Sequence, residues 1–425
     1  MNRGWPLGEA GKKMELVNMF AGNPLIPGKR SVVDPRELEA LLLGHAGARA
    51  LPVLDGRPLV AASRSAQGVV NWSLCWQNLE QFGSRFPFGL GSLSGDSAEA
   101  DLAEGELVRR KYDRVVYLGD QDGVPCFAID VSKLLVGAHG DASTTAQGLD
   151  ARASAQKLAQ ELAAVFSADN PGEKSAFIDL RTLMLAADWR NKQATEQVAI
   201  GGHARALLEW HKQAQFCGRC GTKTVATEAG QRRQCSNQSC KNKLYPRTDP
   251  VVIMLVIDKE RDCVILARQS RFLPRMWSCL AGFIEAGESL EEAVRRETQE
   301  EVGINIDRIV YHSSQPWPVG PSSKSCELMV GFFAYATSFD IKVDGVELQD
   351  AQWFNRESVL KALTYTDYRN AQEASSLKVY QYCSGEKTTD SFSEAPMYVP
   401  GPYAIAHNLI ATWANVAPDS LLSKV

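Results

Sequence analysis

The sequence has no long run of apolar residues. The longest, residues 251–257, covers seven positions, whereas a helix that crosses a bilayer needs about 20. The sequence therefore predicts no membrane-spanning helix. The first 20 residues also lack a sustained apolar core and a small-residue cleavage site, which argues against a secretory signal. Glu9 and Glu15 make the same stretch a poor organelle transit peptide.

An excess of charge of either sign is also missing. The formal net charge is −4 over 425 residues, which gives no electrostatic footprint for non-specific nucleic-acid binding. Ten cysteines are present. Four of them are clustered and the others are scattered, a usage that favours a reducing intracellular compartment over a disulfide scaffold. The chain ends Ser423-Lys424-Val425, one residue away from a peroxisomal address.

Length and composition predict an ordinary globular protein of two to three domains, since 44% of the residues are hydrophobic and 23% are charged. The first predicted domain, residues 1–206, has short apolar runs bounded by Gly, Pro or Asp, and an amphipathic pattern over residues 151–166. These features predict a mixed α+β domain. The expected strands are residues 51–54, 69–72, 114–119, 126–130 and 176–180. A loop is expected over residues 137–148.

Four cysteines follow in a metal-ligand pattern, within a predicted second domain of residues 207–247. Two closely spaced pairs, Cys217 with Cys220 and Cys235 with Cys240, can close a tetrahedral all-sulfur site. Such a site suits a structural zinc ion and leaves no position open for a substrate. The alternative is four free buried cysteines. A role as a nucleic-acid adaptor stays open, since small zinc modules also bind nucleic acids.

A helix over residues 196–215 leads into the cysteines and is expected to be interrupted at Gly201-Gly202. His203 and His211 lie on or beside this helix. Because four cysteines already complete a tetrahedral shell, we expect both histidines in ordinary core or surface positions rather than as zinc ligands.

Three glutamates cluster in the last predicted domain, residues 248–425. If residues 289–302 form a helix, the three carboxylates fall at i, i+3 and i+4, on one face and within about one turn. They are Glu297, Glu300 and Glu301. Like charges so close repel one another, so the cluster is best explained by a hard cation, since Mg²⁺ and Mn²⁺ take carboxylate oxygens. The alternative is an acidic, solvated surface helix.

The opposite face of this predicted helix carries Leu290, Ala293 and Val294, which are small and apolar enough to pack on a sheet. Gly303 is expected to end the helix. Apolar runs predict the strands of the sheet. They cover residues 250–257, 263–267, 277–281, 309–311 and 328–337. Later, the polar residues 366–395 predict a surface insertion, and a helix is expected over residues 403–410.

Residues 282–304 resemble the Nudix box, G-x5-E-x7-R-E-U-x-E-E-x-G-U, where U is a bulky aliphatic residue. Every glycine and charged position of the box is matched, and Thr298 stands at one U position. The resemblance implies an α+β fold, with a Nudix α/β/α sandwich preceded by a zinc ribbon and by the mixed α+β N-terminal domain. It also implies that the three glutamates are the catalytic residues.

A second motif narrows the resemblance. Residues 314–323, here called the Pro-Trp segment, read SQPWPVGPSS, and two prolines around Trp317 predict a stiff loop with an aromatic surface. With the ribbon, this segment is similar to the S-Q-P-W-P-F-P-x-S motif of the NADH pyrophosphatase subfamily, from which Val319-Gly320 departs. The resemblance covers about residues 175–415. The chain looks most like the plant members, which the family places in plastids or peroxisomes; the cytoplasm stays open as a third compartment.

The resemblance implies hydrolysis of the diphosphate bond of NADH or NADPH, which gives reduced nicotinamide mononucleotide and AMP or 2′-phospho-AMP. Two or three Mg²⁺ or Mn²⁺ ions would be bound by the three box glutamates together with the carbonyl of Ala281 and the carboxylate of Glu347. Arg296 would brace the loop through Glu288 without touching the substrate.

Recognition of the bases needs aromatic faces. The resemblance implies stacking by Phe283 and by Tyr245, the latter contributed across a homodimer, whereas residue types alone would make both rings core residues. The other substrate-binding positions that it implies are Arg181, Gln315, Pro316, Trp317, Pro318, Ser322 and Ala406.

Other functions remain open. Removal of an NAD cap from RNA would use the same bond and the same glutamates, with RNA entering only by its 5′ end. Another nucleoside diphosphate derivative, such as ADP-ribose, is a further alternative substrate. A Nudix fold that serves only as a ligand-binding module is disfavoured, since such a module has no need to retain a metal-binding cluster.

Overall fold

The computed structural model describes residues 18–25, 47–79, 114–132, 157, 159–166, 174–272, 275–320, 326–365, 368–386 and 397–416. Within these residues, no helix is long and apolar enough to cross a membrane. The loop predicted over residues 137–148 and the predicted substrate-binding residue Ser322 lie outside them.

A seven-stranded sheet forms the centre of the first domain. Its strands are β1 (Arg49–Leu54), β2 (Arg57–Arg64), β3 (Val70–Leu74), β4 (Gln77–Asn78), β5 (Val115–Gln121), β6 (Val124–Asp130) and β7 (Lys174–Phe177). Apolar clusters cover both faces of the sheet. The five predicted strands are confirmed, and residues 159–166 are helical as expected. The last strand is shorter than predicted because Asp179 caps helix α1 (Leu180–Ala186).

Helix α2 (Lys192–Gln213) is one continuous helix of 22 residues. The interruption predicted at Gly201-Gly202 is therefore wrong. A Cβ at Gly202 would lie 2.9 Å from the ring of Phe20 and 3.0 Å from Pro318, so the glycine serves close packing that offsets its propensity cost of about 1 kcal/mol. The helix continues through residue 206, where the sequence places the end of the first domain.

The ribbon is a small antiparallel sheet of β8 (Thr224–Thr227), β9 (Arg232–Cys235) and β10 (Lys243–Leu244). It is joined to α2 through His211, whose Nε2 lies 2.6 Å from the Gly230 carbonyl oxygen and whose Nδ1 lies 2.7 Å from Arg233 Nη1. His211 thus has a core position, while His203 hydrogen-bonds Asn23. Neither histidine belongs to the cysteine group described below.

The last domain is an α/β/α sandwich, as predicted. Its mixed six-stranded sheet has the order β14-β15-β11-β12-β16, and β13 also pairs with β11. The strands are β11 (Thr248–Asp258), β12 (Cys263–Arg268), β13 (Leu280–Phe283), β14 (Ile306–Trp317), β15 (Cys326–Ala336) and β16 (Asp350–Asn355). Most of β11 is buried between two helical layers, which explains its unbroken aliphatic run.

Four helices belong to the described residues of this part of the chain. They are α3 (Leu290–Val302), α4 (Arg356–Tyr365), α5 (Tyr368–Ser384) and α6 (Ile405–Asn415). Helix α3 packs on one face of the sheet through Ala293 and Val294, while Leu290 at its start is exposed. Helices α4 and α6 pack on the opposite face, and α6 confirms the helix predicted near the C-terminus.

The surface insertion predicted over residues 366–395 is wrong for α5, which packs on the first domain. Gln372 Nε2 and Ser376 Oγ both donate to the Ala186 carbonyl oxygen, at 2.7 and 2.9 Å, and Val379 is completely buried. These donors satisfy a carbonyl at the C-terminal end of α1, which has no partner within its helix. A narrow stripe of buried residues is enough to hold α5 against the first domain. Most of its residues are polar, so composition alone predicted a surface insertion.

Residues 314–317 also differ from the prediction. They continue strand β14 and pair with β15, with Trp317 opposite Glu327, so the predicted stiff loop begins only after Trp317. Because β14 is an edge strand, Pro316 can lie in it without breaking an inner ladder of hydrogen bonds.

Candidate active site

Local signals fix both ends of helix α3. The Ser289 side chain accepts a hydrogen bond from the Glu292 backbone N–H, and the Glu292 carboxylate accepts one from the Ser289 backbone N–H, which completes a capping box. Gly303 ends the helix in the left-handed conformation, with φ of 70°. Thr298, the departure from the box pattern, is buried and donates to the Val294 carbonyl oxygen at 2.7 Å. Its hydroxyl is therefore satisfied within the helix.

The three box glutamates lie on one side of α3 but in different surroundings. Glu297 is 8% exposed and Glu301 is 2% exposed, whereas Glu300 faces solvent. Oε2 of Glu301 is buried without a hydrogen-bond partner. Burial, together with the charges of Glu297 and Glu347, raises the pKa of Glu301 to about 8. A buried carboxylate oxygen without a donor, facing further carboxylates, fits a divalent cation.

Glu347 lies on the turn before β16, where its charge acts on both buried box glutamates. Asp344, three residues earlier, also raises the pKa of Glu301. The sequence analysis did not include Asp344. Its position three residues before Glu347, in DGVE, could have indicated a second acidic side chain near the site. The charges of Glu300 and Glu347 thus act on Glu297, and those of Glu297, Glu347 and Asp344 act on Glu301.

Arg296 connects the acidic residues to the loop before the helix. Its guanidinium donates to both Glu288 carboxylate oxygens at 2.5 and 2.8 Å, and to the Phe283 carbonyl oxygen at 2.9 Å. It also donates to Glu297 and Glu300, each at 2.9 Å. The bonds from Arg296 hold the pKa of Glu288 at about 2. The predicted brace from Arg296 to Glu288 is therefore present.

Strand β13 brings its backbone against the buried carboxylates. A Cβ at Gly282 would overlap the Glu297 carboxylate, so a larger residue here would force the carboxylate or the strand to shift. A backbone hydrogen bond from Ala281 reaches Glu301 and partly offsets the rise in its pKa. The carbonyl role of Ala281 in metal binding stays a prediction.

The two predicted stacking rings are exposed. Phe283, next to Gly282, is 51% exposed, and Tyr245 is 58% exposed, so the expectation from residue types alone, that both are core residues, is wrong. The guanidinium of Arg232 lies 4.4 Å from the centre of the Tyr245 ring. Both rings are therefore accessible to a planar ligand, although Arg232 lies over one face of Tyr245.

The Gln315 side chain is hydrogen-bonded to the protein backbone, unlike a side chain that lines a pocket. Gln315 is fully buried, and its Nε2 donates to the backbone oxygens of Met19 at 3.0 Å and Tyr403 at 2.8 Å. Its Oε1 accepts from the Ile405 N–H at 2.7 Å. Both ends of the amide are thus hydrogen-bonded to the protein backbone.

The remaining predicted substrate residues lie either in the Pro-Trp segment or elsewhere in the chain. Pro316 and Trp317 are half-buried and Pro318 is buried, and the Trp317 ring meets Phe20 edge to face at 6.1 Å. Arg181 is exposed and donates to the Val319 carbonyl oxygen at 3.1 Å. Ala406 is buried in α6. Phe20 and Arg205, which contact this segment from the first domain, had no sequence signal because their partners are far along the chain.

Four sulfur atoms form a separate group in the ribbon. The ligand atoms of Cys217, Cys220, Cys235 and Cys240 all lie within 4.8 Å of one another. The Cys220 and Cys235 sulfurs are 3.4 Å apart, and those of Cys217 and Cys240 are 3.9 Å apart. Four cysteines at this spacing fit a structural zinc ion.

Three family models match the chain. They are an NADH pyrophosphatase-like rudimentary NUDIX domain at residues 47–210, an NADH pyrophosphatase zinc ribbon domain at residues 212–245, and a NUDIX domain at residues 247–373. The domain boundaries read from the sequence, at residues 206 and 247, stay predictions.

Curated relatives match over different lengths. Nudix hydrolase 19, chloroplastic, of Arabidopsis thaliana is 44% identical over 95% of this chain and 88% of its own length. NAD-capped RNA hydrolase NUDT12 of Homo sapiens is 40% identical over 53% of this chain. Mitochondrial NAD(P)H pyrophosphatase NUDT13 of Homo sapiens is 35% identical over 57% of this chain. The matches cover 43% and 60% of the two human proteins.

The match to the plant relative covers nearly the whole of its length. It agrees with three features of the structure: the capped acidic helix, the sandwich that carries it and the cysteine group. The chain belongs to the Nudix hydrolase family, as an enzyme that acts on pyrophosphate bonds and carries the NADH pyrophosphatase zinc ribbon.

Proposed function

We propose that this chain hydrolyses the diphosphate bond of NADH or NADPH and releases reduced nicotinamide mononucleotide with AMP or 2′-phospho-AMP. The observation that carries the proposal is the environment of Glu301. This carboxylate is 2% exposed, has an oxygen without a partner and lies beside Glu297 and Glu347. An exposed aromatic ring, Phe283, follows the glycine that covers Glu297. Phosphate chemistry and base recognition thus meet at one end of β13.

Five groups would hold the two to three Mg²⁺ or Mn²⁺ ions of this proposal. They are the carboxylates of Glu297, Glu300, Glu301 and Glu347 and the carbonyl of Ala281. Bound there, such ions neutralise the charge of a diphosphate and lower the pKa of a water molecule. The unpartnered Oε2 of Glu301 supports this assignment, because a buried carboxylate without a donor is costly unless a cation or ligand compensates it.

The chain's own residues position these groups. Arg296 holds the Glu288 loop on the helix and orients Glu297 and Glu300 through charge-assisted hydrogen bonds. Phe283 and Tyr245 offer exposed faces for stacking on the bases. In a homodimer, which we propose as the active form, Tyr245 would be supplied by the partner copy.

A plastid location is proposed from the plant relative, whose name describes it as chloroplastic. The peroxisome is the alternative that the resemblance to the plant members implies.

Removal of an NAD cap from RNA is the second candidate, because a relative 40% identical to this chain is named as an NAD-capped RNA hydrolase. Both reactions cleave the same diphosphate. The net charge of −4 provides no overall positive charge to attract the RNA body, which favours the free dinucleotide.

The test is a steady-state comparison of NADH, NADPH, NAD⁺, ADP-ribose and an NAD-capped RNA, each with Mg²⁺ or Mn²⁺. We expect the reduced dinucleotides to have the highest kcat/KM and the products to be the two mononucleotides. A lead for ADP-ribose or capped RNA would overturn the proposed substrate and leave the family unchanged.

A further inference from the structure

The first domain holds the backbone of the Pro-Trp segment directly. Arg205, on α2, donates from Nη1 to the Pro318 carbonyl oxygen at 2.6 Å, and Arg181, on α1, donates from Nη2 to the Val319 carbonyl oxygen at 3.1 Å. Two consecutive carbonyl groups of the segment are therefore fixed by guanidinium groups from a different domain. Such charge-assisted hydrogen bonds are stronger than neutral ones.

Packing supports the same contact. Gly202, one turn before Arg205 on α2, leaves room for both Phe20 and Pro318. Phe20 in turn meets the Trp317 ring edge to face. Val319 is buried in the apolar cluster of the first domain, and a Cβ at Gly320 would overlap the Glu327 carboxylate. The residues Val319-Gly320, where the sequence departs from the subfamily motif, thus fit this domain contact.

The beginning of the segment is fixed by the N-terminal residues. Asn18 Nδ2 donates to the Ser314 carbonyl oxygen at 2.7 Å, and the Asn408 side chain donates to Asn18 Oδ1 at 2.7 Å. Gln315 bonds the Met19 carbonyl oxygen, as described above. Residues 314–319 of the segment are therefore held by residues that precede the Nudix domain.

The sheet places this segment on the same face as the exposed ring of Phe283. Phe283, Val251, Met329 and Gln315 are successive register partners across four strands, so Phe283 and Gln315 lie about 14 Å apart at the usual strand spacing. Trp317 follows two residues later on the same face of β14. A dinucleotide with one half on Phe283 can extend its second half toward the Pro-Trp segment.

We infer that Arg205 is a positioning residue for the dinucleotide substrate, acting through the Pro318 carbonyl, and that the first domain serves to hold the Pro-Trp segment against one nucleotide half. The inference rests on the proposed function. It gives the first domain a part in substrate recognition, separate from the glutamates that perform hydrolysis. Burial lowers the pKa of Arg205, while the nearby Glu209 and Asp179 charges act in the opposite direction.

The test compares Arg205→Met and Arg205→Lys with wild type on NADH and on two truncated substrates. One is the methyl ester of ADP, which lacks the nicotinamide half, and the other is the methyl diphosphate ester of reduced nicotinamide riboside, which lacks adenosine. Arg205→Met should raise KM for NADH roughly tenfold, worth about 1.4 kcal/mol, with kcat changed less than threefold. Arg205→Lys should recover part of the loss. The loss in kcat/KM should disappear for at least one truncated substrate.

Lys192→Met is the matched control, because it removes one positive charge from the same helix at a side chain that is 89% exposed. It should leave KM for NADH unchanged. An unchanged KM in Arg205→Met, or an equal loss on NADH and both truncated substrates, would overturn the inference, since the latter reports general damage. If Arg205→Met does not fold, Arg205→Lys carries the same comparison. Failure of wild type to hydrolyse either NADH or NADPH would instead refute the proposed function.

Discussion

The cysteine group, which fits a structural zinc ion, and the glutamate group, which we propose to bind Mg²⁺ or Mn²⁺, are arranged in opposite ways by the chain. The four sulfurs already converge within 4.8 Å on a small sheet, and an all-cysteine shell leaves no position for a substrate. The glutamates are spread over α3 and the turn before β16, with Arg296 bonded to two of them and one buried oxygen of Glu301 left unpartnered. The cysteine group is suited to stabilise the fold, whereas the glutamate group is suited to bind cations.

The largest effect that this comparison predicts is in the ribbon. Cys217→Ser should remove the zinc and unfold the ribbon, because zinc contributes roughly 10–16 kcal/mol to folding in small zinc peptides. Metal analysis of wild type should give about one zinc per chain, and thermal melting should show the loss in the variant. Cys263→Ser, outside the group, is the control and should keep the zinc. Zinc-free but folded wild-type protein would contradict the structural role.

Glu301→Gln should remove activity and leave the fold and the zinc intact, the opposite of the ribbon variant. It should reduce kcat for NADH by roughly 10²- to 10³-fold, as loss of one group that stabilises transition-state charge does, while zinc content stays the same. Its stability without Mg²⁺ or Mn²⁺ should not fall, because a neutral amide is easier to bury than a carboxylate. The measurement is initial rate together with thermal melting. A kcat within threefold of wild type would show that Glu301 is not part of the catalytic centre.

Gly282→Ala tests the close approach between β13 and the glutamates. The added Cβ would overlap the Glu297 carboxylate, so the side chain or the strand must shift. We expect a loss of roughly 1–3 kcal/mol in stability and of roughly 10- to 100-fold in kcat, read from denaturant melts and steady-state rates. An unaltered kcat in the alanine variant would mean that Glu297 can leave this position without consequence.

Glu327→Gln should have the smallest effect and serves as a control for Glu301. Glu327 is also buried with an unpartnered oxygen, and burial raises its pKa above the ordinary value of 4.5. As pH rises above that value the unfolded chain releases the proton first, so the folded state loses stability. The variant should therefore gain about 1 kcal/mol at pH 7 and less at pH 4, measured by thermal melting. A gain larger at pH 4 would reverse the predicted sign.

Helix α3 and its acidic face could be predicted from the sequence because their causes are local. Ser289, Glu292 and Gly303 fix the ends of the helix by contacts within a turn, and the spacing of the glutamates alone places them on one side. The cysteine pattern was readable for the same reason. The apolar runs were sufficient to predict most strands of the two large sheets, but not β2, β4 or β16 and not the extent of β14.

The parts that the sequence did not predict depend on distant partners. Gly202 does not interrupt α2 because Phe20 and Pro318 pack against it. Gln315 is held by a carbonyl that lies 296 residues earlier, and α5 packs on the first domain through donors to Ala186. No local pattern encodes such contacts, and they are the ones that connect the first domain to the Pro-Trp segment.

The measurement that tests the account most directly follows NADH hydrolysis and zinc content in the same sample during treatment with a chelator too weak to remove zinc from four cysteines. We predict that hydrolysis stops while about one zinc per chain remains, and that added Mg²⁺ or Mn²⁺ restores the rate. Hydrolysis that continues without these ions, or that is lost only when the zinc leaves, would contradict the division between a structural cysteine site and a catalytic glutamate site.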